Sequence, residues 1–181
     1  MNFFFTKNRS PFWLIFLLCV FTSFRFLPAP LHLDMKPLSF MLGKWEGKGQ
    51  YLIDNQLFKV KRTLHIMPEK GGRQIRITSL AIEDEPLNIQ NRIVQQQQHV
   101  LTFNSKTQNY TIKTHINNQL FGQTVLEVPF EGFCTWKSQN LAGHRVRFHI
   151  RYEQGKWMEV GEILKPKQGW VVIAASELEQ K

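Results

Sequence analysis

Two charged residues stand where charge is costly. From Phe58 through Val60, Arg62, Leu64 and Ile66 every second residue is apolar except Arg62, while Lys59, Lys61, Thr63 and His65 fill the positions between. This alternation predicts a half-buried strand with Arg62 on its inner face. Far along the chain, Gln154-Gly155 reads as a two-residue hairpin turn. Such a turn sets Tyr152 opposite Trp157, Ile150 opposite Glu159, Phe148 opposite Gly161 and Val146 opposite Ile163. That face is apolar apart from Glu159, so Glu159 is expected inside. The reverse face sets Arg147 opposite Glu162, with Arg145, His149 and Arg151 alongside, which suits solvent and a cross-strand ion pair. A buried charge needs a partner, so Arg62 and Glu159 are expected either to satisfy each other or to meet a polar group of a ligand. The alternative is a bulge that turns one of them outward. Arg62, Tyr152, Trp157 and Glu159 are the candidate ligand contacts.

Other reactive side chains form no catalytic pattern. The chain has no phosphate-cradling glycine loop, no Gly-x-Ser-x-Gly elbow and no His-Glu-x-x-His. His65, His99, His115, His144 and His149 are scattered one to a strand or turn and are read as ordinary histidines, so no metal site is expected. Asp34, Asp54 and Asp84 each lie near a turn or linker, poor material for a triad. Cys19 and Cys134 are too far apart in context to form a disulfide framework, and Cys134 reads as a small buried hydrophobe.

The elements that must position Arg62 and Glu159 are nearly all strands. Strand-like stretches run from the opening segment to Tyr51 and over 58–66, 73–82, 88–95, 100–103, 110–116, 123–128, 133–136, 145–152, 156–164 and 169–175. Turn signals at Asp54-Asn55, Pro68 to Gly72 and Glu83 to Pro86 separate the earlier ones, and Gln95 to Gln98 reads as a strand end and turn. No long amphipathic helix is available to cross over between parallel strands. Roughly ten antiparallel strands must then close into a barrel or split into two sheets, and the barrel removes the edges. Leu38 to Gly43 reads as a one-turn helical lead-in.

The first 30 residues differ from the rest. Lys7 and Arg9 precede an apolar run from Pro11 to Phe21, the charge pattern of an export signal. Its uncharged length suits either a cleaved signal peptide or a short membrane anchor. Residues 31–37 are expected to be a linker and 38–181 the folded domain. The chain carries +9 in all, and removing Lys7, Arg9 and Arg25 leaves 20 basic against 14 acidic residues, a balance of +6. Such a charge could favour anionic surfaces, but no recognition-helix or RNA-binding signature is present, so nucleic acid is not an expected partner. Hydrophobic residues at 43% and aromatics at 13% exclude a disordered chain.

Two stretches carry a family resemblance. Phe40-Met41-Leu42-Gly43-Lys44-Trp45-Glu46-Gly47-Lys48-Gly49 resembles the opening strand of calycin-like barrels, including nitrobindin-like and related uncharacterised bacterial domains, and its Gly-x-Trp is similar to the lipocalin opening. Gly155 to Glu162, followed by Gly169-Trp170 and Glu177-Leu178, resembles the closing hairpin of those domains. The resemblance implies an all-β, ten-stranded, antiparallel up-and-down barrel over 38–181, with Gly43 and Trp45 structural and Trp45 plugging one end. Nitrobindins hold haem through a histidine near the C-terminus. Here no histidine follows His149, so haem is not carried over and no cofactor is expected.

The functional expectation is a noncatalytic module, exported to the periplasm or cell envelope of a bacterium, whose barrel takes a small hydrophobic or amphipathic molecule. Membrane association would run through the N-terminal segment. The alternatives are an enzyme using Glu159 as an acid or base in an apolar cavity, and a filled barrel with a structural or interaction role.

Overall fold

The computed structural model of the chain describes residues 30–84, 93–116, 119–140 and 142–181. The signal or anchor expected over 1–30 lies, but for Pro30, outside the described residues. Among the described residues no helix is long and apolar enough to cross a membrane.

A 3₁₀ helix over Leu33–Met41 leads into ten strands. These are β1 (Gly43–Ile53), β2 (Gln56–Glu69), β3 (Gln74–Glu83), β4 (Ile93–Asn104) and β5 (Asn109–Ile116), then β6 (Gln119–Phe130), β7 (Phe133–Gln139), β8 (Arg145–Glu153), β9 (Lys156–Lys165) and β10 (Gly169–Gln180). Each strand pairs antiparallel with its neighbours in sequence, and β1 pairs with β10 to close the barrel. The expected all-β up-and-down barrel is the fold.

The strand faces follow the sequence alternation. On β2, Val60, Arg62, Leu64 and Ile66 are buried while Lys59, Lys61, Thr63 and His65 are exposed. The β8–β9 hairpin has the register that its turn dictates, with Ile150 paired to Glu159 and Tyr152 to Trp157. Gln154 and Gly155 have φ of 53° and 80°, the left-handed pair that a type I′ turn requires. Outside the barrel, Arg147 Nε donates to Glu162 Oε2 at 2.6 Å, His149 Nε2 lies 3.1 Å from the same oxygen, and the Arg147 guanidinium sits 4.3 Å over the Trp170 ring. The hydrogen bond from Arg147 holds the Glu162 carboxyl below its ordinary pKa.

One end of the barrel is plugged. A 3₁₀ helix has three residues per turn, so residues three apart share a face. Met35, Leu38 and Met41 form that face and are all buried in one cluster with Trp45, Ile75, Leu101, Leu126, Trp157 and Leu178. Trp45 is fully buried and its Nε1–H donates to Met41 O at 2.8 Å, which satisfies the indole and ties the helix to the first strand. Tyr110 Oη donates to Asp34 O at 2.7 Å from the far side. The helix begins at Leu33, inside the stretch read as linker, because Met35 supplies an apolar anchor one turn before Leu38. Cys134 is buried in the same core, and burial pushes its thiol pKa well up.

Gln95 to Gln98 are corrected from a strand end and turn to the interior of β4, where β3 pairs with all four of them and β5 pairs from Gln98 onward. The two strands expected over 88–95 and 100–103 are thus one from Ile93 onward, residues 85–92 lying outside the described residues. Polar residues on both faces erase the alternation that marks a strand.

Candidate functional site

Arg62 reaches inward from β2 at a height where β1 offers only Gly47 and Gly49 on its inner face. A Cβ on Gly47 would run into the Glu177 carbonyl oxygen, and one on Gly49 would lie 2.9 Å from Ala175 O. The two glycines therefore let β10 press close to β1 at the level of Ser176.

The guanidinium has an acceptor on every nitrogen. Nη2 donates to Glu159 Oε1 at 3.0 Å, Nη1 to Ser176 Oγ at 2.6 Å and Nε to Ser79 Oγ at 3.3 Å. The two charged side chains are 6% and 11% exposed, so this is a buried ion pair with hydroxyl support. Burial works against the charge on Arg62, but the Glu159 carboxylate beside it and Tyr51 together outweigh that and raise its pKa. Arg62 and Glu159 were legible in the sequence. Ser79 and Ser176 were missed, and the signal for them was a small polar residue at an inward position of an otherwise apolar strand.

Above this pair, at the end opposite the plug, the barrel holds a cavity of about 410 Å³. Its inner end is polar, formed by Glu159, His99 and Tyr51. Its walls are aromatic and aliphatic. Trp136 and Phe148 stack there with centroids 5.1 Å apart and ring planes 19° apart, and Val146 and Ile116 continue the surface. Gly161 makes room for this wall, since a Cβ there would stand 2.9 Å from Phe148 Cε1. Gln95, Gln97, Gln139 and Asn140 bring amides to the cavity.

His99 and Tyr51 are set in the same environment as Glu159. His99 Nδ1 shares a hydrogen bond with Thr114 Oγ1 at 3.0 Å, and its ring meets Trp136 edge-on at 6.2 Å. Part of its surface faces the cavity, yet it lies deep in the barrel. Burial lowers its pKa to about 4, Glu159 offsetting only part of this while Arg62 and His115 add to it. The imidazole is neutral at pH 7. Burial likewise raises the Tyr51 phenol to about 12, with Arg62 pulling it down and Glu159 pushing it up. Tyr51 therefore remains a hydroxyl donor and acceptor. Neither residue was singled out from the sequence.

Tyr152 and Trp157, expected as ligand contacts, lie away from this cavity. Both face the interior, but at the plugged end, with Trp157 5.7 Å and Tyr152 5.8 Å from Trp45 by ring centroid, and neither lines the cavity. Phe40 stacks on Tyr152 at 5.9 Å and completes this aromatic group. Gly43 opens β1 beside them with φ of 126°. Among the described residues no group of three or more His, Cys, Asp or Glu stands together to hold a metal ion.

The arrangement is a largely apolar, aromatic slot with one carboxylate, one neutral imidazole and one phenol at its inner end. It can bind an apolar body and read a polar group at its tip. No family model matches the chain, and no curated protein matches it in sequence. Solved structures match it in shape. Rv2717c from M. tuberculosis superposes with a TM-score of 0.61 at 10% identity, over 84% of this chain and 99% of that one. The S-type phycobiliprotein lyase CPES from Guillardia theta gives 0.54 at 11% identity, over 84% and 94%. With the closed ten-stranded sheet, these likenesses make the fold a calycin-like β-barrel.

Proposed function

We propose that the protein is a noncatalytic binding module of the bacterial cell envelope, whose barrel takes one small amphipathic molecule. The observation that carries this reading is the cavity itself: about 410 Å³ of space bounded by the Trp136–Phe148 stack and ending on Glu159, in a barrel whose other end is packed solid. A filled structural barrel has no use for such a space, and Gly161 keeps it open at a site where alanine would already crowd Phe148. The cavity lies within the size range of small-molecule pockets. Its lining, apolar along the walls and polar at the tip, suits an amphipathic ligand better than a purely hydrophobic one.

The envelope location rests on the sequence, through Lys7, Arg9 and the apolar run that follows. Export or anchoring by residues 1–30 is tested by cell fractionation of the full chain against one lacking that segment. The binding reading is tested by native mass spectrometry of the full chain purified from its own cells. A single small molecule retained at one to one is expected, and a bare chain with a cavity that also takes up no apolar probe would overturn it. The solved structure of a phycobiliprotein lyase on a barrel of this shape supports the view that such a fold can be put to work on another molecule, but names no ligand here.

A further inference from the structure

We propose that the cavity selects an uncharged ligand whose leading end donates a hydrogen bond to Glu159 Oε2, and that it rejects carboxylates of the same shape. This rests on the binding reading above and specifies the chemistry of that site. A buried arginine next to a cavity ordinarily suggests an anion site, and the geometry here points the other way. Arg62 does not line the cavity, and each of its nitrogens already has an acceptor in Ser79, Ser176 or Glu159. What it presents to the cavity through Glu159 is the opposite charge. Glu159 Oε1 is taken by Arg62, while Oε2 has no hydrogen-bond partner among the described residues and Glu159 lines the cavity. An ionised carboxyl is an acceptor only, so the complementary ligand group is a donor.

Charge balance decides between a neutral donor and a cation. Arg62 and Glu159 cancel, so the interior is neutral as it stands. His99 is neutral there as well, and Tyr51 remains protonated. A carboxylate entering this space would be an uncompensated buried charge set against Glu159, and an ammonium would be an uncompensated charge near Arg62. An amide, lactam or alcohol carries neither penalty. An amide is matched twice, because its N–H can go to Glu159 while its carbonyl accepts from the Tyr51 hydroxyl. The Trp136–Phe148 stack favours a flat body behind that head.

Four probes with one naphthalene body separate these effects: 2-naphthamide, methyl 2-naphthoate, 2-naphthoate and 2-methylnaphthalene. Each is titrated into the full chain by calorimetry. The amide is expected to bind about tenfold or more tighter than the ester, which accepts but cannot donate, with the carboxylate weakest of the four. In the paired variant Arg62→Met with Glu159→Gln the amide preference over the ester should shrink toward unity. If that variant does not fold, the ratios in the unaltered protein still decide. A carboxylate that binds as well as the amide, or an ester that equals it, overturns the proposal while leaving a binding barrel intact. Failure of all four to bind overturns this inference, and joined to a bare chain in native mass spectrometry it removes the binding reading as well.

Discussion

Arg62 and Glu159 are 97 residues apart in the chain and meet inside the barrel with Nη2 and Oε1 separated by 3.0 Å. Neither can lose its partner cheaply. Arg62→Met and Glu159→Gln, made singly, are each expected to destabilise by about 3 to 5 kcal/mol because each strands a buried charge, and the double variant to recover most of the loss. Denaturant unfolding of the four proteins gives the coupling. Additive effects below about 0.5 kcal/mol would show that the pair contributes nothing.

The plugged end makes a separate prediction. Trp45→Ala removes a fully buried indole and its bond to Met41 O, and is expected to cost about 3 to 5 kcal/mol, seen as a sharp drop in Tm. Tyr152→Leu, at the same end, should lower stability and leave ligand retention unchanged, since Tyr152 does not line the cavity. A loss of ligand in Tyr152→Leu with stability intact would restore the sequence assignment of that residue.

These two ends show what the sequence could and could not reveal. Arg62 and Glu159 were legible because each breaks an apolar face, and the Gln154-Gly155 turn fixed the register of Glu159. Tyr152 and Trp157 share the inward face with Glu159, but a face gives direction and not height along the barrel axis, so their place beside the plug was hidden. His99 follows a run of glutamines that are polar on both faces, and without alternation neither its strand nor its inward direction stood out. Tyr51, Ser79 and Ser176 become meaningful only once β1, β3 and β10, which do not follow one another in sequence, bring them around one guanidinium or one cavity.

His99 makes stability depend on pH in a defined window. Its pKa falls from 6.5 in the unfolded chain to about 4 in the fold, so between these values the unfolded chain binds more protons. The neutral ring's contribution is complete above about pH 6.5 and is lost as pH falls toward 4, by about 3 kcal/mol at most from one such group. His99→Gln should flatten the stability profile across that window. An unchanged slope between pH 6.5 and 5 would place the titrating group elsewhere.

Gly161 tests whether the cavity is shaped by the Phe148 ring. It has an ordinary negative-φ backbone, so Gly161→Ala changes space more than strain, and its Cβ must push Phe148 Cε1 from a starting distance of 2.9 Å. Overpacking of this kind costs about 1 to 3 kcal/mol when nothing yields. Because one side of Phe148 faces open space, a smaller loss is expected here, together with a clear fall in probe affinity. Unaltered affinity would mean that Phe148 is not part of the binding surface.

The most direct measurement is a crystal structure of the full chain with 2-naphthamide. The rings are expected against Trp136 and Phe148 and the amide nitrogen at hydrogen-bond distance from Glu159 Oε2, with Arg62 still held by Ser79, Ser176 and Glu159. A probe lying on the outer surface, or inside with its head turned to the mouth and Glu159 unengaged, would contradict this placement.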